Sequence, residues 1–348
     1  MKPAWEKQAD GGARTACTPP DRRVVTRHTL VKVPLTVLSC GAIHDTHVPS
    51  MTKSSRRILV SFADSRLRPS ARRLARQAAA MRSYGDVVIM DERDLEPAFR
   101  ARHRDRLRRG TRGFGYWVWK PEVLRHVHAT CADGDILHYV DIGCHLHPPG
   151  RVRLEEYCAL AADAECGILA FALRLPEGHV AGRWHGHPPS ALAERFWSKG
   201  DLLDHFGVRH RKDVVDTPQV IATQFVMRCG PAVRAFLDRW AAVWADDFTL
   251  VDDTPSRSEN LPGFIEHRHD QSVFSVLCKL GGVPTLSAAE CEFPAPDGRA
   301  DWAALASFPV HARRDLRKSW AARGRSAASR VIRGLLHPTL TVRGMEKR

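Results

Sequence analysis

From Arg57 onward, short apolar runs rich in β-branched residues alternate with stretches whose apolar positions recur every three or four residues. Arg57 to Ala63, Gly85 to Asp91, Asp135 to Asp141, Gly167 to Leu173 and Val220 to Arg228 predict five strands. Ser70 to Arg82 predicts a helix with Leu74, Ala78 and Met81 on one face. Pro121 to Ala129 predicts another, with proline in the first turn, where a missing N–H costs nothing. Helices are also predicted for Pro231 to Ala245 and Asp270 to Leu280, the latter after a loop rich in Asp, Pro and Ser. Strands alternating with helices specify an α/β fold, with a mainly parallel, Rossmann-like central sheet covered by helices on both faces. In such sheets ligands bind beyond the carboxyl ends of the strands. Two of the predicted strands end in a carboxylate, Asp91 and Asp141.

The chain has 348 residues and a formal net charge of +14, which first suggests a nucleic-acid partner. The distribution of charge removes that reading. Met1 to Arg57 holds ten basic and four acidic residues, and Ala312 to Arg348 holds eleven and two, so the segment between them is close to neutral. The organisation expected is an N-terminal extension (1–55), one folding unit (56–311) and a basic, partly helical C-terminal tail (312–348). Met51 precedes the basic Lys53 to Arg57 and the first strand, so residues 1–50 read as an upstream extension rather than a targeting signal. In the tail, Trp320, Val331, Ile332, Leu335 and Leu336 are interspersed with arginines, which suits either a solvated tail or one lying on an anionic membrane surface. No apolar run approaches the roughly 20 residues of a membrane span. Nine scattered cysteines without a Cys-x-x-Cys pair read as reduced cytosolic thiols.

Candidate chemistry clusters in three places. Arg112-Gly-Phe-Gly-Tyr-Trp-Val-Trp-Lys-Pro121 sets Tyr116, Trp117 and Trp119 beside Lys120, with two glycines that permit close backbone approach. The tryptophans suit either a core plug or a ligand wall, whereas the polar tips of Tyr116 and Lys120 need partners. The preceding stretch, Phe99 to Arg112, holds seven arginines and is either a solvated face or a cradle for phosphates. Asp141-Ile-Gly-Cys144 follows a strand directly, where a carboxylate can hold a divalent cation or form a turn. Phe264-Ile-Glu-His-Arg-His-Asp-Gln-Ser-Val-Phe274 opens a helix, and Asp270 could cap it. Glu266, His267, His269, Asp270 and Gln271 nevertheless carry more polar function than a cap requires. The pairs His145/His147, His185/His187 and His267/His269 lack an assignable third and fourth ligand, so a zinc hydrolase is set aside. No phosphate-binding glycine motif of the Walker or dinucleotide type is present.

The order of these motifs, with Trp197-Ser-Lys-Gly-Asp-Leu-Leu203 and Gln219 to Met227 between them, resembles a bacterial family of glycosyltransferases of the GT-A, nucleotide-diphospho-sugar transferase fold. The likeness spans about Arg57 to Pro309. It implies transfer of a sugar, of hexosyltransferase type, from a nucleoside-diphosphate donor to a hydroxyl of a cell-envelope or polysaccharide acceptor (a basic tail lying on the membrane would suit a lipid-linked acceptor at its cytoplasmic face). On the donor side it implies Ser61, Phe62, Ala63 and Asp64 against the nucleotide, with Asp91, Arg112, Tyr116, Lys120 and Asp141 around the diphosphate or sugar. It implies Asp270 and Gln271 at the reaction centre or acceptor side, with Glu266 and His267 beside them; if transfer inverts configuration it needs a base, for which Asp270 is the candidate and His269 the reserve. It further implies manganese or magnesium at Asp141. Against this cation stands Gly143, which replaces the second acid of the Asp-x-Asp motif and leaves Lys120, Arg112 or a histidine to neutralise the diphosphate. The competing reading is a catalytically degenerate binding protein on the same fold.

Overall fold

The computed structural model describes residues 55–313, apart from 180–183, 185 and 298. The expected N-terminal extension up to residue 54 and the expected tail beyond residue 313 fall outside the described residues. In chain order the elements are β1 (Arg57–Phe62), α1 (Arg68–Met81), β2 (Asp86–Met90), α2 (Pro97–Arg102), α3 (Gly113–Tyr116), α4 (Trp119–His128), β3 (Ile136–Val140), β4 (His145–Leu146), α5 (Arg151–Asp163), β5 (Ile168–Ala172), α6 (Gly200–His205), α7 (Lys212–Val215), β6 (Val220–Arg228), α8 (Pro231–Asp246), α9 (Asp270–Leu280), β7 (Thr285–Ser287) and β8 (Val310–His311).

Six strands form one sheet in the order β2-β1-β3-β6-β5-β7, with β4 and β8 paired separately. All neighbours are parallel except β6, which runs antiparallel to both β3 and β5. The expected α/β architecture is therefore present, with one reversed strand. Its direction follows from the long excursion between β5 and β6, which brings the chain back to the same end of the sheet. A strand buried on both faces reads alike in either direction, so periodicity could not reveal this.

The alternation of side chains builds two cores. Ile58, Val60 and Phe62 of β1 and Leu137 and Tyr139 of β3 meet α4, α8 and α9, where Phe225, Trp240 and Phe274 pack with ring centroids 4.6–6.0 Å apart. Leu59, Ile136 and Val140 face the other way, onto Leu74, Ala78 and Met81 of α1 and Leu154, Tyr157 and Ala161 of α5. Strand β6 departs from strict alternation. Its register against β5 shifts between the Leu169/Val226 and Phe171/Ile221 pairs, so Val220 and Ala222 face the same core as Phe225 and Met227. Such a bulge re-aims backbone groups, and here the irregular segment lies beside Asp141, whose N–H donates to the Thr223 carbonyl at 2.8 Å.

Candidate active site

Lys120, in the first turn of α4, is the hub of the site. Its ammonium is almost wholly buried, at 1 % exposure, and lies 2.6 Å from Asp270 Oδ2 and 3.2 Å from Asp141 Oδ1. Its third contact is with the Ala222 carbonyl in the irregular segment of β6, to which it donates at 3.0 Å. The carbonyl contact has hydrogen-bond geometry, and the two carboxylates are held as ion pairs. Asp141 stands directly after β3, and Tyr139, two residues earlier on the same face, donates its hydroxyl to Asp141 Oδ1 at 2.7 Å. Asp270 is the first residue of α9; its carboxyl is spent on Lys120, and the N-cap position belongs to His269 without a side-chain hydrogen bond. The capping role open to Asp270 from sequence is thus not the one it adopts.

One lysine serving two carboxyls sets the electrostatics. Burial alone would depress Lys120, but Asp141 and Asp270 outweigh it and hold the ammonium above its usual range. For Asp270 burial is the larger influence, only partly offset by Lys120, and its pKa is pushed up to about 6. A carboxyl tuned towards neutrality is suited to general-base work.

These groups line a cavity of about 360 Å3 beyond the strand ends, whose wall also includes Arg112, Trp117, Glu266, His269 and Gln271. The fold therefore gathers Arg112, Lys120, Asp141, Glu266, His269, Asp270 and Gln271 of the expected residues around one space. Other expected residues lie elsewhere. Ser61 donates to the Val140 carbonyl at 2.6 Å inside the sheet, while Phe62 stacks on Trp119 at 4.1 Å and Ala63 is core. Asp64 caps a short turn by accepting from Arg66 N at 2.8 Å. Asp91 is held below the usual carboxylate range by hydrogen bonds from Arg93. His267 is buried behind the cavity, its ring Nδ1 accepting from the Lys199 N–H at 3.4 Å, and burial keeps it far below the usual histidine range. Of the arginine-rich stretch only Arg112 reaches the cavity; Arg106 covers the Phe248 ring at 3.9 Å and Arg108 pairs with Asp105.

The glycine-aromatic motif forms an unusual backbone. Gly113, Phe114, Gly115, Tyr116 and Trp117 all have positive φ, from 52° to 96°, and wind one left-handed turn closed by Tyr116 N to Arg112 O at 2.7 Å. Three of these residues carry a Cβ, and each costs about 1–2 kcal/mol in this conformation. Tertiary contacts offset the strain: Phe114 is buried near Phe62, and Trp119 Nε1 donates to the Gly113 carbonyl at 3.0 Å. The glycines serve this conformation. The Trp117 indole lies flat on Gly113, where an added Cβ would meet ring carbons at 2.3–2.6 Å. The turn brings Trp117 and Tyr116 against the His269 imidazole, at centroid distances of 5.7 and 5.2 Å. Gly113→Ala should therefore lower unfolding free energy by about 2–4 kcal/mol. Gly110→Ala, also at positive φ but with nothing within 4 Å of its Cβ, should cost about 1 kcal/mol. Urea unfolding of both variants checks the contrast, and equal losses would remove the steric account.

Three further groups escaped the sequence reading. Asp253, in the loop before α9, accepts from Tyr116 at 2.9 Å, pairs with Arg112 at 3.3 Å and faces His269 Nε2 at 3.6 Å. Lys199 fixes that loop by donating to the carbonyls of Thr249, Asp252 and Thr254. Fully buried Glu194 accepts from Ser198, Gln219, Ser275 and Lys279, and Gln219 in turn accepts from cavity-lining Gln271 at 2.7 Å. Lys199 belongs to the Trp197 to Leu203 motif, so a sequence signal existed for it. Asp253 and Glu194 stand in stretches with no periodicity or spacing to mark them.

The donor set fits a divalent cation poorly. Gly143 supplies no second acid, Asp141 already holds the Lys120 ammonium, and among the described residues no three His, Cys, Asp or Glu side chains are grouped to hold a metal. His147 stacks on His311 at 4.6 Å and binds the Ala306 carbonyl.

No family model and no curated protein matches the chain. Among solved structures it is similar to mouse xyloside xylosyltransferase 1, with 11 % identity and a TM-score of 0.36 over 68 % of this chain and 86 % of that one. It is also similar to the galactosyltransferase LgtC in complex with donor and acceptor sugar analogues, with 11 % identity and a TM-score of 0.36 over 79 % of this chain and 95 % of that one. The bifunctional glycosyltransferase WbbM gives 11 % identity and a TM-score of 0.36 over 75 % and 45 % respectively. Backbones at this distance agree only in outline, so the functional reading rests on the site. No helix among the described residues is long and apolar enough to cross a membrane.

Proposed function

We propose that the protein is a glycosyltransferase that moves a sugar, of hexosyl type, from a nucleoside diphosphate to a hydroxyl of a glycan or lipid-linked acceptor. The observation that carries this reading is Lys120 holding Asp141 and Asp270 together in a cavity beyond the strand ends, with Asp270 tuned to about 6. In the proposed reaction the Asp270 carboxylate takes the acceptor's hydroxyl proton as that oxygen attacks the anomeric carbon. The bond from that carbon to the diphosphate oxygen breaks, and the oxygen leaves with the electron pair. Arg112 and Arg268, both lining the cavity, are placed to meet the developing charge. No step passes through a metal: Lys120 is taken up by Asp141 and Asp270, and the charge on the leaving diphosphate falls to Arg112 and Arg268.

A thermal-shift panel of nucleotide sugars tests the donor. UDP or GDP sugars should raise the melting temperature, since a ligand at 100 times its Kd stabilises by about 2.7 kcal/mol. The shift should be the same with manganese or with a chelator. No shift with any nucleotide diphosphate at millimolar concentration would overturn the donor assignment, and dependence on manganese would overturn the metal-free role given to Arg112 and Arg268.

A further inference from the structure

Next to the cavity, the guanidinium of Arg112 and the phenol of Tyr116 converge on one carboxylate, that of Asp253, beside the His269 imidazole nitrogen. Arg112 and His269 line the cavity, whereas Asp253 stands beside it on its loop, outside the lining, with a side chain 54 % exposed. The carboxylate leaves this group of side chains incompletely satisfied. The His269 side chain is 2 % exposed, and its Nδ1 must carry a hydrogen because it contacts the Val251 carbonyl at 2.7 Å. In the neutral ring Nε2 is then a lone pair, buried without a hydrogen-bond partner. It faces a carboxylate oxygen that has no hydrogen to give. Burying such an atom unpaired is unfavourable. A ligand satisfying the whole set presents an oxyanion to Arg112 and Tyr116 and, next to it, a hydroxyl to His269.

We propose that Asp253 is an internal stand-in for a ligand phosphate. Arg112 and Tyr116 exchange its carboxylate for an oxygen of a sugar-linked diphosphate, and a neighbouring sugar hydroxyl donates to His269 Nε2. The exchange is feasible because both partners of the Arg112–Asp253 pair are about half exposed, and exposed pairs are weak. A diphosphate brings more charge and more acceptor oxygens than one carboxylate. The identity of the ligand as a donor diphosphate rests on the function proposed above; the self-occupied anion site does not.

Calorimetric titration of the full chain with inorganic pyrophosphate tests the exchange. Asp253→Asn keeps an acceptor for Tyr116 but removes the competing charge, and should tighten pyrophosphate binding about fivefold. In an Arg112→Gln background the same change should bring no gain. Acetate should bind the wild type at least about tenfold more weakly than pyrophosphate. Unchanged or weaker pyrophosphate binding by Asp253→Asn overturns the proposal, as does a gain that survives Arg112→Gln or acetate binding as well as pyrophosphate. Turnover of a nucleotide sugar without the Asp253→Asn gain would refute the stand-in and leave glycosyl transfer intact. The gain without turnover of any donor would establish the anion site and remove the transferase reading.

Discussion

Asp270→Asn is expected to lower glycosyl transfer by about two to four orders of magnitude while the protein stays folded and still binds donor. The amide has the shape of the carboxyl and can still accept from the Lys120 ammonium, 2.6 Å from Oδ2 in the native chain. It cannot take a proton from an acceptor hydroxyl. The loss should fall on kcat, because the proton moves only in the transition state. The variant should also lose a pH dependence of stability. Native Asp270 keeps its proton up to about 6 and releases it near its ordinary 3.8 once unfolded. The folded state therefore binds more protons across that window, and its stability falls as pH rises through it. Normal turnover by Asp270→Asn would remove the residue from catalysis and move the base role to His269, whose ring lines the same cavity.

Lys120→Met is expected to lower the melting temperature by on the order of 10 °C, corresponding to about 3–5 kcal/mol for a domain of this size. The methionine fills much of the same volume, so packing alone predicts a small effect. The charge balance predicts a large one: Asp141 and Asp270 lose their shared cation, and the Ala222 carbonyl loses a donor. The loss should be greater at pH 8 than at pH 5, since a protonated Asp270 no longer needs the ammonium. Adding Asp270→Asn should recover part of it. A loss below about 1 kcal/mol, or one indifferent to pH, would contradict the role of Lys120 as the common counter-ion.

How much of this was legible in the sequence follows from the range over which each signal acts. The strands β1, β2, β3, β5 and β6 and the helices α1, α4, α8 and α9 were read within a few residues, because period-two and period-3.6 patterns are local. α5 escaped, although Leu154, Tyr157, Cys158 and Ala161 are buried at helical spacing, because exposed Val152 and Leu160 blur its apolar stripe. β7 has only half-buried residues at the sheet edge, and β4 and β8 are two residues each. At the site, Lys120, Asp141 and Asp270 were each marked by a motif. Their convergence on one ammonium across 150 residues is a property of the fold alone. The left-handed turn was half legible: Gly113 and Gly115 announce backbone freedom, but nothing announces positive φ at Phe114, Tyr116 and Trp117. Asp253 gave no signal, since an acid in an Asp-rich loop looks like solvated surface until Tyr116, Arg112 and His269 are seen around it.

The central claim, that a buried carboxyl tuned by Lys120 drives glycosyl transfer, is tested most directly by the pH dependence of nucleoside-diphosphate release from a stabilising nucleotide sugar with acceptor present. The geometry predicts release whose kcat/KM rises as pH increases and levels off above an inflection near 6, where Asp270 becomes the carboxylate. Absence of release by the folded protein at every pH, or a rate flat from pH 5 to 8, would contradict it.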